Sequence, residues 1–164
     1  MHRIKYPTQK QLLKAFSYDP RTGFVGHRLT HGRAVAGTRA GNVSTLGYRR
    51  VGYGGFVYFE HVIIWIIMTG TQPKSDIDHV DRNKSNNAWN NLRIGTRQQN
   101  SANARSRRGS VGLKGVARHG ARYRAQIGVG YKSVHLGVFA TPEMAHAAYC
   151  AAAKKHFGAF ARFK

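Results

Sequence analysis

Acidic side chains are nearly absent from this chain. There are six among 164 residues, against 27 Lys and Arg, which gives a formal charge of +21. Such a balance points to a polyanionic partner, either nucleic acid or an anionic surface. Cysteine is reduced to Cys150, which excludes an internal disulfide and a Cys-rich zinc site. The nine histidines are scattered along the chain, and structural zinc is not expected. The longest apolar run is Val62 to Met68, far short of the roughly 20 residues that a membrane span needs. Met1 to Gln11 is polar with no apolar stretch behind it, unlike a secretory signal. An intracellular protein without a membrane partner is expected. Its length allows one compact domain or two small ones.

What the chain does contain falls into three parts. From Tyr6 to Gly70, Tyr18-Asp19-Pro20-Arg21-Thr22-Gly23 is a turn signal joining two short strands, because Pro presets φ and Gly accepts a positive one. Gly47 to Tyr53 and Phe56 to Phe59 flank Gly54-Gly55 and read as a β-hairpin. Glu60 to Met68 fits a buried helix ending at Gly70 or a buried strand, since periodicity does not separate the two in so short an apolar run.

The second part, Asp76 to Arg108, holds three of the six acids within six positions: Asp76, Asp78 and Asp81. A protein built to bind a polyanion gains little by clustering carboxylates, unless a divalent cation stands between protein and phosphate. Ile77 to Val80 is expected to be a strand, with Leu92 to Ile94 as its partner. The intervening loop carries Asn83, Asn86, Asn87, Asn90 and Asn91, a composition suited to irregular, internally hydrogen-bonded backbone. Thr96 and Gln99 have capping-box spacing and start a helix at Arg97 that carries Asn100. The order strand, loop, strand, helix brings Asp78, His79 and Asn100 together if the helix packs across the hairpin.

These residues suit phosphodiester hydrolysis, which needs a base, a cation and a group that orients the base. His79 is the candidate base, because imidazole titrates near neutrality. Asp78 precedes it on a strand, so the two side chains point to opposite faces. One can hold a metal while the other approaches the water.

Ile77-Asp78-His79-Val80-Asp81, Asn86-Asn87, Asn90-Asn91-Leu92-Arg93, Thr96 and Gln99-Asn100 resemble the HNH endonucleases. Asn91 and Asn100 follow His79 at twelve and twenty-one residues, as in the homing branch common in phage genomes. The resemblance runs over about residues 6 to 104 and extends to the Gly47-Tyr48 hairpin and His61. It implies a ββα-metal finger in which His79 is the general base and Asn91 orients it. Asp78 and Asn100 would be the metal ligands. Cleavage would leave a 5′-phosphate and a 3′-hydroxyl. Asn100 replaces the final His, as in nicking members.

The third part runs from Val111 to Lys164. Strands are expected at about Lys114 to Arg118, Arg122 to Val129 and Ser133 to Phe139. In the second, Tyr123, Ala125, Ile127 and Val129 alternate with Arg122, Arg124, Gln126 and Gly128, which places the apolar set on one face. Thr141-Pro142-Glu143 opens a helix with an Ala145, Ala148, Tyr149, Ala152 stripe and a Gly158 cap. Gly115-Val116, Tyr123 to Ile127, Leu136 to Phe139 and the alanine helix resemble the Apetala-two (ethylene-response-factor) DNA-binding domain. The resemblance implies that Lys114, Arg118, Arg122, Arg124 and Gln126 face DNA, with Lys132 and His135 beside them. Arg105, Arg107 and Arg108 form a basic tether for phosphates.

The fold class expected is α+β. N-terminal hairpins lead into the HNH finger (region 1–104, core about 76–104), a linker follows at 105–110, and a three-stranded sheet packs on one helix at 111–164. The expected function is metal-dependent, site-specific DNA cleavage of the homing type, with Mg2+ or Mn2+ on oxygen ligands. One HNH site favours a nick. The partner is double-stranded DNA, bound by a monomer with no protein partner. The location is the cytoplasm of a bacterial host if the chain is phage-encoded. The alternative is a non-catalytic, sequence-specific DNA-binding regulator.

Overall fold

The structure is a computed structural model that describes residues 6–103, 111–130 and 132–163. The chain forms two compact units, Met1–Ile94 and Gly95–Lys164. Both mix helices with small sheets, so the fold is α+β as expected. No helix among the described residues is long and apolar enough to cross a membrane.

The first unit opens with α1 (Gln9–Ala15). A capping box, in which Thr8 and Gln11 bond reciprocally, starts this helix. The sequence reading passes over it, although the Thr8-x-x-Gln11 signal is present. Strands β1 (Phe16–Asp19) and β2 (Phe24–His27) pair antiparallel around the predicted turn. A short β3 (Asn42–Val43) joins β4 (Arg49–Tyr53), which pairs with β5 (Phe56–Phe59). Gly54 and Gly55 both have positive φ, 58° and 80°, as a type I′ hairpin requires.

The apolar run after β5 is a helix, α2 (Glu60–Thr69), which settles the alternative left by the sequence. Gly70 ends it in the left-handed conformation. Val62, Ile63, Ile64, Ile66 and Ile67 are all buried. They form one core with Leu12, Phe16, Val25, Val51, Tyr58 and Leu92. The helix is buried nearly all round, which explains why no amphipathic period marks it. Strand β6 (Asp76–His79) pairs with β7 (Leu92–Gly95). A 3-10 turn, Trp89–Asn91, closes the asparagine loop between them.

The second unit begins at the end of β7, ahead of the expected limit at 104. The helix α3 (Arg97–Asn103) therefore clusters with it. Thr96 and Gln99 form the predicted box: Thr96 N–H donates to Gln99 Oε1 at 2.8 Å, and Gln99 N–H donates to Thr96 Oγ1 at 3.2 Å. Strands β8 (Val116–His119), β9 (Arg122–Val129) and β10 (Lys132–Phe139) form an antiparallel sheet of order β10-β9-β8. On α4 (Pro142–Phe157) the buried residues are Ala145, Tyr149, Ala153 and Phe157. Ala148 and Ala152 flank that stripe and are partly buried.

A close backbone approach locks the β1–β2 turn onto the asparagine loop. Gly23 has φ +73°, and a Cβ there would lie 2.4 Å from the Asn87 carbonyl carbon and from the Ala88 nitrogen. Tyr18 Oη donates to the Asn87 carbonyl at 2.9 Å, and Trp89 N–H donates to the Pro20 carbonyl at 2.8 Å. Gly23→Ala is expected to destabilise the first unit by about 2–4 kcal/mol, from the left-handed φ and the overpacking together. A denaturation midpoint equal to that of the unaltered protein would disprove this.

Candidate active site

Asp78 and His79 are consecutive on β6 and leave it on opposite faces. The Asp78 side chain is 13% exposed, and Arg93 on β7 holds it. Arg93 donates through Nε at 2.9 Å and through a terminal nitrogen at 2.8 Å, both to Oδ2. His79 is 4% exposed. Its ring meets His61 edge to face, with centroids 5.2 Å apart, and Tyr48 at 6.1 Å. His61 in turn stacks on Phe59 at 5.4 Å. The candidate base is thus an imidazole packed among aromatic rings.

The asparagines divide the work differently from the resemblance. Asn91 Oδ1 accepts from the Asp81 N–H at 2.9 Å. Its Nδ2 donates to Asp81 Oδ1 at 2.9 Å and to the Asn86 carbonyl at 2.7 Å. The asparagine at hydrogen-bond distance from His79 is instead Asn87, whose Oδ1 lies 2.9 Å from His79 Nε2. Asn91 closes the loop around Asp81, as a turn does, and Asn87 is the one turned inward.

Asp81 is the hub of that loop. It accepts from Asn83 N–H at 2.8 Å and from Asn86 Nδ2 at 2.6 Å, besides Asn91. Burial raises its carboxyl pKa, but these hydrogen bonds outweigh burial and hold it below the usual carboxylate range. Asp76 is exposed at the start of β6.

The residue that sequence reasoning missed is Glu60. It is the first residue of α2 and is fully buried at 0% exposure. Arg49 Nε donates to Glu60 Oε2 at 2.7 Å, and an Arg39 nitrogen lies 3.7 Å from Oε1. Asn87 Nδ2 donates to Oε1 at 3.1 Å. An unbroken polar chain therefore runs from Arg49 through Glu60 and Asn87 to His79. The only sequence signal was an acid inside an otherwise apolar segment.

Asn100 lies on α3, in the second unit. Its Oδ1 is buried with no hydrogen-bond partner. His27 and His31 are four positions apart, a His-x3-His spacing that the expectation of scattered histidines overlooks. No group of three or more His, Cys, Asp or Glu suited to a metal occurs among the described residues.

The expected DNA-facing residues are not all on one face. Directly paired residues of antiparallel strands share a face. Arg124 pairs with Ala117 and Val138, Gln126 with His135, and Arg122 with His119. These stand opposite Ala125 and Ile127, which pack toward α4. Arg118 pairs with Tyr123 and so belongs to the other face. The two-residue turn Gly120-Ala121 sets this register and is the signal that would have placed Arg118. Lys114 is not on a strand: its Nζ donates to the Ala102 carbonyl at the end of α3, at 2.6 Å. Burial, and to a lesser degree Arg162, lowers its pKa. Arg105, Arg107 and Arg108 lie outside the described residues.

Residues 58–102 match the family model of the HNH endonucleases. The chain is 33% identical over 109 residues to an uncharacterized HNH endonuclease of Acanthamoeba polyphaga mimivirus. That alignment takes in 65% of this chain and 57% of the relative, so the chain spans little more than half the length of the curated relative it matches. The matched segment carries Glu60, His61, Asp78, His79, Asn87, Asn91 and Asn100.

Burial makes His61 a sensor of acid. Desolvation, and secondarily the neighbouring His79, lowers its pKa from 6.5 to about 3. Between those values the unfolded chain binds a proton that the folded protein refuses. The stability present above pH 6.5 is therefore lost as pH falls toward 3, by on the order of a few kcal/mol. His61→Phe keeps the stacking and removes the proton site. Its unfolding free energy is expected to change less between about pH 7 and about pH 4.5. Equal acid slopes in urea titrations of the two proteins would contradict this.

Proposed function

We propose that this protein is a metal-dependent DNA endonuclease of the HNH homing type that nicks one strand, leaving a 5′-phosphate and a 3′-hydroxyl. The observation that carries the reading is His79 held rigidly by a buried amide, inside the segment that matches the HNH endonucleases. His79 is the general base that takes a proton from the attacking water. Asp78 leaves the same strand on the opposite face, so it is free of the base's own packing.

By the resemblance, Asp78 and Asn100 would be the oxygen donors that hold the cation, Mg2+ or Mn2+. A carboxylate and an amide oxygen make a hard donor set. The buried, unpartnered Asn100 Oδ1 suits a ligand role. When bound, the ion supplies charge stabilisation to the phosphate and the departing oxygen. Arg93 fixes the Asp78 carboxylate through Oδ2 and so orients it before DNA arrives.

The C-terminal sheet positions the DNA, in the manner of an Apetala-two domain. Arg122, Arg124 and Gln126 share the face turned away from α4. Arg124 Nε is buried without a hydrogen-bond partner, a donor suited to a phosphate or a base edge. The basic segment with Arg105, Arg107 and Arg108 would add phosphate contacts. The substrate is double-stranded DNA, engaged by a monomer inside the cell, in the cytoplasm of a bacterial host if the chain is phage-encoded.

Incubation of supercoiled plasmid carrying the natural target with protein and Mg2+ tests this. Relaxed circles that form only without chelator are expected. His79→Ala should slow their formation by about 10²–10⁴-fold and leave DNA affinity in place. Binding without cleavage by the unaltered protein would replace this reading with a non-catalytic DNA-binding regulator. On the C-terminal sheet, Arg124→Ala is expected to weaken binding and to lower the slope of log affinity against log salt by about 1. An unchanged salt titration would remove Arg124 from the interface.

A further inference from the structure

We infer that Glu60 is a positioning residue for His79. Acting through Asn87, its buried carboxylate sets the proton on Nε2 of the imidazole and so makes Nδ1 the basic nitrogen. The inference rests on the proposed role of His79 as general base and adds two residues to it.

The argument is one of donors and acceptors. An ionised carboxylate only accepts hydrogen bonds. Glu60 is held as such by Arg49 Nε at 2.7 Å on Oε2, with Arg39 at 3.7 Å from Oε1. The group facing Oε1 must then donate, which assigns that position to Asn87 Nδ2, at 3.1 Å. The Asn87 amide has no choice left: its oxygen faces His79 Nε2, at 2.9 Å. An amide oxygen accepts, so Nε2 carries the hydrogen. In a neutral imidazole the lone pair then sits on Nδ1.

Nothing lets this relay slip. Glu60, Asn87 and His79 are 0%, 1% and 4% exposed, so water does not compete for their polar atoms. The Asn87 backbone is held by Tyr18 Oη on its carbonyl and by the close approach of Gly23. Arg49 is tied in turn by a bond from its terminal nitrogen to the Ala40 carbonyl at 2.8 Å. A buried ion pair is an expensive way to gain stability, since an apolar set of similar volume often does as well. It is an effective way to fix a direction, and the direction fixed here ends on the candidate base.

Glu60→Gln inverts the logic with almost no change of shape. The new amide keeps its oxygen on Arg49 and turns its NH2 toward Asn87. Asn87 must then present its own oxygen to Gln and its NH2 to His79, which moves the imidazole hydrogen to Nδ1. Histidine labelled with 15N, recorded at about pH 8 where imidazoles are neutral, reads the tautomer directly, with His79→Gln identifying the signal. The unaltered protein is expected to show His79 as the Nε2–H form and Glu60→Gln as the Nδ1–H form. Turnover of the variant should fall by about 10²-fold or more at unchanged DNA affinity.

An Nδ1–H signal from the unaltered protein overturns the inference even if Glu60→Gln fails to fold. So does a folded Glu60→Gln that keeps both tautomer and turnover. Failure of the unaltered protein to cut DNA is a different result: it removes the nuclease reading, whereas cleavage with the wrong tautomer removes only the role of Glu60.

Discussion

One buried carboxylate organises the first unit. Taking a charged Glu60 out of water costs several kcal/mol even after relaxation, and the fold offsets that cost by bringing three other segments to it. Arg49 comes from β4, Arg39 from the chain before β3, and Asn87 from the asparagine loop, while Glu60 itself opens α2. Each partner carries its own tether: Arg49 to the Ala40 carbonyl, Arg39 to the Gly23 carbonyl and Asn87 to Tyr18. α2, the asparagine loop and the chain at Tyr48-Arg49 therefore serve both the candidate base and Glu60. Removing the acid alone would leave the arginines and the amide without the group they converge on, which is why the geometry of His79 and the packing of α2 are one problem.

The asparagine loop shows how an irregular segment reaches such order. Its backbone departs from helix and strand, with Arg82 at φ 67°, and local ladders do not satisfy its polar groups. Side-chain amides and one carboxylate do that instead. Asp81 takes bonds from three asparagines, and Asn91 alone makes three. Once Asp81 has closed the loop, Asn87 is left to face the interior between Glu60 and His79. Random pairing would give the six acids of a chain of charge +21 to the abundant cations. Asp81 bonds instead to neutral amides, and so stays within a loop rather than being drawn out to a lysine or arginine.

What could be read from the sequence follows the range of the forces involved. The hairpins around Pro20 and Gly54-Gly55, the Thr96–Gln99 box and the Thr141-Pro142-Glu143 start of α4 depend on neighbours within four residues, and all formed where expected. Arg118 was placed on the DNA face by the resemblance alone, whereas its face is set by register, which depends on the turn that joins its strand to the next. Glu60 was invisible for a deeper reason. It lies 27 residues before Asn87, and no local rule says that an acid at a helix start will turn inward rather than face solvent. Asn87 and Asn91 are chemically the same residue in the same loop, so only the packed structure separates the one that faces His79 from the one that closes the turn.

The distribution of the acids also bears on how DNA would be received. Glu60 is neutralised by Arg49 and Asp78 by Arg93, while Asp19 accepts hydrogen bonds from Arg21 N–H and the Thr22 hydroxyl. Glu143 sits in the first turn of α4, against the positive end of its dipole. Most of the negative charge is thus tied up locally, and the surplus of cations is left to act at long range on a polyanion. Such attraction is strong but carries no sequence information. Site-specific cleavage, if the proposed function holds, therefore needs a second, short-range element. The sheet face with Arg122, Arg124 and Gln126 is suited to that part, because strands hold side chains at a fixed spacing that a flexible basic tether lacks.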